Sequence, residues 1–296
     1  MLHPPMLPEE QAKKSAAPRP KTQVGDVVLA LSGGAGSSAL LDLLSDRAYI
    51  AKDGGEEKRG RPPVWKRGYV VHVDFSHVAN VGSQTERLKA MAEERGWTFV
   101  GVLAEDAFDP TFVSRLGGQT TEGKAVGVNL AEPGFPLIST PSSSSTSTPL
   151  DQLQALLTAL PAPSRPALLE NILNALLTCV AETLPNIGTL LVGETSTREA
   201  QRVISGTASG RGWSLPLELA VSRALPTKNK VVRIKAMKEL SLKEAAFWCH
   251  GRHVPTFNER RWDSTVGGTR RDARGKGTIA SIEALTEREF TGLLCN

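Results

Sequence analysis

The sequence predicts an α/β fold: a mostly parallel sheet of about five strands with helices on both faces. Short Val- and Leu-rich runs alternate with stretches of helical periodicity, the pattern of strands crossing over through helices. The strand runs are close to continuously apolar, as expected of strands covered on both sides. The first of them reads directly into a Gly–Ser loop and then a helix, the strand–turn–helix unit of doubly wound sheets.

Each element has its own signal. Val27–Leu31 is the first strand, and Ser37–Leu44 carries the apolar spacing of the helix that follows. "RGYVVHVDFSH" gives a second strand around Tyr69–Val73. "SQTERLKAMAEERG" is a helix with Leu88, Met91 and Ala92 on one face and Gly96 as its stop, and Thr98–Ala104 is the third strand. "PALLENILNALLTCVAETL" is a strongly apolar helix ending near Pro185. "GTLLVGET" supplies the fourth strand, and "STREAQRVISG" the next helix, with Ser196 and Glu199 spaced as a capping box. "KVVRI" is a fifth strand and "SLKEAAFWCHGR" a last helix.

Two stretches interrupt this order, Asp53 to Gly68 (charged) and Pro133 to Leu150 (rich in Pro, Ser and Thr), and both read as flexible surface insertions. The expected organisation is a flexible segment over 1–24, one α/β domain over 25–254, and a largely irregular tail over 255–296.

Composition narrows the class. With 296 residues, 40% of them hydrophobic, the chain can bury a core without disulfides. Three scattered cysteines, Cys179, Cys249 and Cys295, fit a reducing compartment. No run of about 18 apolar residues and no apolar signal core near the first residues is present, so the expectation is a cytoplasmic protein with no membrane partner. A pI of about 9.0 with net charge +4 is compatible with nucleic acid without demanding it.

The loop "SGGAGSS" is the first candidate site. Gly33 and Gly34 permit a tight turn, the following helix start offers backbone N–H groups and a favourable dipole to an anion, and Ser32, Ser37 and Ser38 add hydroxyls. It lacks the lysine of a Walker loop and the spacing of the dinucleotide fingerprint. The same residues also suit a plain strand-to-helix turn in which Gly and Ser serve geometry and capping. The loop resembles the S-G-G-x-D-S loop of PP-loop ATP pyrophosphatases, with Gly36 standing where that family has aspartate.

A second signature narrows the resemblance. In "VGETSTREAQRVISGTASGRGWSLP", Gly193 remains where catalytic PP-loop tRNA thiolases carry a G-H-N-x-x-D-like stretch, but Glu194, Thr195 and Thr197 replace the histidine, asparagine and aspartate. Together with "LALSGGAGSSALLDLL", "VVHVDFSH" and "KELSLKEAAFWCHGRHVPTF", the chain resembles the cytoplasmic tRNA 2-thiolation protein 2 family over roughly Val27 to Phe257.

That resemblance implies a PP-loop architecture and a heterodimer with a catalytic PP-loop tRNA thiolase subunit. The pair takes sulfur from a thiocarboxylated ubiquitin-related modifier to 2-thiolate the wobble uridine of tRNA Lys, Glu and Gln, in a pathway tied to urmylation. No catalytic residue and no metal site is assigned to this chain, and ATP is the one cofactor a vestigial loop would hold. The alternatives are a self-sufficient ATP-dependent tRNA sulfurtransferase and a nucleotide-sensing scaffold.

Cys179 reads as a small core hydrophobe, and no C-x-x-C pair exists for a Cys₄ site. Cys249 and His253 are four apart, a candidate ligand pair on one helix face with no further ligands at suggestive spacing. His72 and Asp74 flank a strand end, where two readings stand: lining the nucleotide pocket or, favoured, a histidine satisfied by a backbone group. For tRNA, the candidate phosphate contacts are Arg198 and Arg202 on one helix face, Arg211 in "SGRGW", and Lys228 and Lys230. Arg233, Lys235 and Lys238, and a basic tail from Arg260 to Lys276, add positive charge, while Trp213, Trp248 and Trp262 read as core or interface anchors.

Overall fold

The computed structural model describes residues 25–47, 49–50, 63–79, 82–117, 148–161, 165–208, 210–227 and 229–257. The chain begins with β1 (Asp26–Ala30) and α1 (Ala35–Asp46), then β2 (Gly68–Asp74), a short α2 (Ser76–Ala79), α3 (Thr85–Glu94) and β3 (Thr98–Leu103). A 3-10 turn, Ala104–Phe108, and the short α4 (Phe112–Arg115) follow. Beyond them come α5 (Pro149–Ala159), α6 (Arg165–Thr183), β4 (Ile187–Val192), α7 (Ser196–Ala208), α8 (Leu215–Glu218), β5 (Ser222–Ala224), β6 (Val232–Lys235) and α9 (Leu242–Gly251).

Six strands form one sheet in the order β3-β2-β1-β4-β6-β5, parallel throughout except for the β5–β6 pair. The sixth strand, absent from the sequence reading, is a three-residue antiparallel edge with every residue exposed, so it carries no apolar signature. Strand order reverses between β1 and β4, which makes the carboxyl ends of these two strands the crevice where sheets of this kind bind ligands.

Alternate residues of β1 feed two cores. Val28 packs with Val71, Leu153, Ile172, Leu176 and Leu190 under α5 and α6. Val27 and Leu29 face the other way, against α1, α3 and α9, with Leu88, Met91 and Ala92 buried as their spacing predicts. α1 and α9 are tied by Asp42, which accepts from Trp248 Nε1 at 3.0 Å and Arg252 Nε at 2.6 Å.

Three local expectations change. The segment read as a flexible loop to Leu150 ends in the start of α5: Thr148 caps it by accepting from the Asp151 N–H, and Pro149 occupies the first turn, where its missing N–H costs nothing. Gly68, assigned to the first insertion, is a buried residue of β2, and Trp65 forms a bridge to Ile50. The capping box at Ser196 does not form: Ser196 is already helical and its hydroxyl donates to Leu240 O, while Glu199 turns to Lys235. Most of both insertions, and the tail from 258, lie outside the described residues. Among those described, no helix is long and apolar enough to cross a membrane.

Leu176 is fully buried between α6 and the sheet. Leu176→Ala should lower unfolding free energy by about 2–5 kcal/mol, read from urea denaturation curves at unchanged slope.

Candidate functional site

The Gly–Ser loop and the turn after β4 meet at the switch point. Gly33 has φ +83°, a conformation that L side chains rarely adopt, and its carbonyl accepts from the Phe257 N–H at 2.8 Å. Residues just beyond α9 therefore strap across the loop. Two of the three hydroxyls expected to face a phosphate, those of Ser32 and Ser37, bond within the loop. Ser37 Oγ donates to Gly34 O at 3.1 Å, receives the Ser32 N–H at 3.3 Å, and lies 3.1 Å from Ser32 Oγ. Ser38 is wholly buried and its hydroxyl is without a partner among the described residues.

Gly36 defines the closure. A Cβ there would lie 2.3 Å from Gly193 O and 3.0 Å from Thr195 Cγ2, while a Cβ on Gly193 would lie 2.5 Å from Ser37 Cα. The two turns touch backbone to backbone, so an aspartate at position 36 has no room.

Directly beyond β4 lies a buried ionic network. Glu194 pairs with Arg202 at 2.8 Å, Lys235 at 2.9 Å and Arg233 at 3.2 Å. Glu199 pairs with Lys235 at 2.6 Å and Arg202 at 3.4 Å, and Arg202 reaches Glu170 at 2.5 Å. Lys235 also donates to Glu218 O, and Arg233 to Asn174 Oδ1 at 2.8 Å. Three carboxylates thus face three cations. Burial opposes the charge on Glu194, but the cations around it hold its carboxyl far below the usual range. Glu199 moves upward, through burial and its neighbour Glu194.

The RNA candidates divide. Arg202 is committed to this network and only 16% of its side chain is exposed, so its place on the Arg198 face does not make it a free phosphate contact. Of the glutamates that claim it, Glu170 is 32 residues away and Glu194 lies just before α7 at a separation of eight, so helical spacing shows neither. Arg198 is exposed and donates to Gln201 Oε1 at 3.2 Å. Arg211 is half-buried, 3.9 Å from Glu218, and so tied to the carboxyl edge where Lys235 grips the same residue. Lys230, exposed in the turn before β6, lies at the opposite edge, and Lys228 lies outside the described residues. The cations named from sequence do not form one patch.

His72 Nδ1 donates to Leu31 O at 2.8 Å, and burial lowers its pKa. Asp74 accepts from Ser76 N, Ser83 Oγ and Thr85 Oγ1, a turn-stabilising set. The sequence reading passed over His77, which pairs with Glu105 at 2.6 Å and is raised above the ordinary imidazole value by that bond. Cys249 is buried, donates to Ala35 O, and is pushed up to about 11 by burial and Asp42. It lines a depression of about 400 Å³ with Ala35, His250, His253 and Thr256. Among the described residues no group of three or more His, Cys, Asp or Glu is placed to hold a metal ion.

Gly36→Ala should cost about 1–3 kcal/mol, because backbone rather than a flexible side chain must move, with melting temperature as the readout. Glu194→Gln should cost about 3–5 kcal/mol by leaving buried cations uncompensated. A carboxylate held low in the fold contributes stability above its unfolded value near 4.5 and loses it as pH falls below. Urea midpoints taken from about pH 6 to about pH 3 should therefore fall more steeply in the parent than in Glu194→Gln. The raised Glu199 acts oppositely and in a higher pH window, through burial in both proteins and through Glu194 in the parent alone.

No protein-family model matches the chain, and no curated protein matches its sequence. Among solved structures, it is similar to the U34-tRNA thiolase NcsA from Methanococcus maripaludis with its 4Fe–4S cluster. The two are 15% identical, and the match covers 89% of this chain and 70% of that chain with a TM-score of 0.45.

Proposed function

We propose that this chain is a non-catalytic, tRNA-binding subunit of a cytoplasmic complex that 2-thiolates the wobble uridine of tRNA Lys, Glu and Gln. Its partner is a catalytic PP-loop thiolase supplied with sulfur by a thiocarboxylated ubiquitin-related modifier. The family placement rests on the motifs around Ser32 and Gly193. The observation that carries the non-catalytic role is the seating of Gly193 on Gly36, which fills the switch-point crevice with backbone and leaves no room for an aspartate. The cations nearest that crevice are neutralised by Glu170, Glu194 and Glu199 rather than turned towards phosphate.

Chemistry at such a site needs groups to order the triphosphate and stabilise the charge developing during adenylation. Here the Ser32 and Ser37 hydroxyls bond within the loop, that of Ser38 is buried, and the nearby thiol, Cys249, is held protonated. What the chain retains for RNA is exposed positive charge, with Arg198 and Arg211 towards the carboxyl edge of the sheet.

The test is AMP formation from ATP and wobble-unmodified tRNA by this chain alone, by a catalytic PP-loop partner alone, and by the pair. Turnover is expected only where the partner is present, and turnover by this chain alone would overturn the assignment. Arg198→Glu with Arg211→Glu should weaken tRNA binding by this chain about ten-fold or more and lower thiolation by the pair. Unchanged thiolation after that double reversal places the RNA surface elsewhere.

A further inference from the structure

Of the two roles read from sequence for Trp213, core or interface anchor, the core role does not hold: it is 68% exposed, while Trp248 is half-buried against Asp42 and Arg252. It stands in the turn between α7 and α8, a turn fixed from below: the Arg211 N–H donates to Gly206 O at 2.8 Å, the Ser214 N–H to Arg211 O at 3.0 Å, and Ser214 Oγ to Glu218 at 2.6 Å. Leu215 packs directly on Gly206, anchoring the turn to the end of α7. The indole is thus held out on a braced support.

Its electrostatic setting is equally specific. From Arg198 to Glu239 the chain carries nine Lys or Arg against three Glu and no Asp, whereas the whole chain is only +4. The buried network neutralises Arg202, Arg233 and Lys235. Exposed Arg198, with half-buried Arg211 two residues before the ring, remains towards the carboxyl edge, while Lys230 lies at the opposite edge. An open aromatic face in a segment of excess positive charge is how sequence-tolerant single-stranded nucleic-acid sites are made: the ring stacks on a base while cations follow the phosphates.

We propose that Trp213 is a stacking platform for an unpaired base of an RNA, with Arg211 supplying the adjacent phosphate contact. The assignment rests on the RNA-binding reading above and adds that single-stranded RNA, rather than duplex, is what this surface grips.

The probes are a synthetic RNA hairpin with a single-stranded loop and the same stem closed as a blunt duplex, titrated against the full chain. Trp213→Ala should weaken hairpin binding about 5- to 100-fold, Trp213→Phe should retain most of the affinity, and duplex affinity should hold within about two-fold in both. Arg211→Glu should weaken hairpin and duplex alike and flatten the salt dependence. A thermal melt matching the parent confirms that Trp213→Ala folds, as its exposure leads one to expect.

Hairpin affinity unchanged in Trp213→Ala, with the parent still binding RNA, overturns the platform and leaves the RNA reading standing. A parent that binds neither RNA overturns both. Preserved hairpin affinity with self-association or partner binding lost in sedimentation would make Trp213 a protein contact, a role its exposed neighbours Ile204 and Leu217 would then share.

Discussion

The contact on which the site depends is the seating of one turn on another, Gly193 over Gly36. In a sheet whose order reverses between β1 and β4, the loops after those strands ordinarily diverge and leave a crevice. Here both turns lack a side chain at the point of approach, and they close to backbone contact. That closure fixes the start of α7 through Thr195 and packs the first turn of α1 from one side, while Phe257 covers Gly33 from the other.

Closing the crevice has an electrostatic consequence. Glu194 follows Gly193 directly and is carried inward with it, where an ionised carboxylate is costly unless paired. Arg202 from α7 and Arg233 and Lys235 from β6 supply the pairing, and Glu170 and Glu199 balance the surplus charge. Networks of this kind constrain geometry more than they add net stability, since the desolvation of each ion offsets much of the attraction. Its effect here is to lock α6, α7, β4 and β6 around one end of the crevice.

The sequence made the strands and the faces of the long helices legible because burial writes itself as periodicity. Leu88, Met91 and Ala92 all lie inward as their spacing requires. Features set by tertiary competition were not legible. Ser196 and Glu199 have the spacing of a capping box, but Lys235, 36 residues away, claims Glu199. Arg198 and Arg202 share a helix face in the sequence, and nothing local shows that Arg202 meets Glu170 and Glu194. The start of α5 was readable in principle from Thr148, Pro149 and Asp151, but those residues follow a Ser/Thr run that masks them. Trp213 illustrates the converse: the sequence left core and interface open for it, and only its surroundings exclude the core.

The glycine at position 36 and the ionic network are coupled features. Admitting a side chain at position 36 requires Gly193 O to retreat, because the obstruction is backbone and cannot rotate away. Gly193 cannot retreat alone, since Glu194 is held by three cations and Thr195 leads into α7, whose Ser196 hydroxyl is bonded to Leu240 O. Opening the crevice therefore means breaking a charge network and shifting a helix start together. Substitution of Gly36 by aspartate meets that combined resistance, which adjustments at Gly193, on β6 and on α7 would have to relieve together.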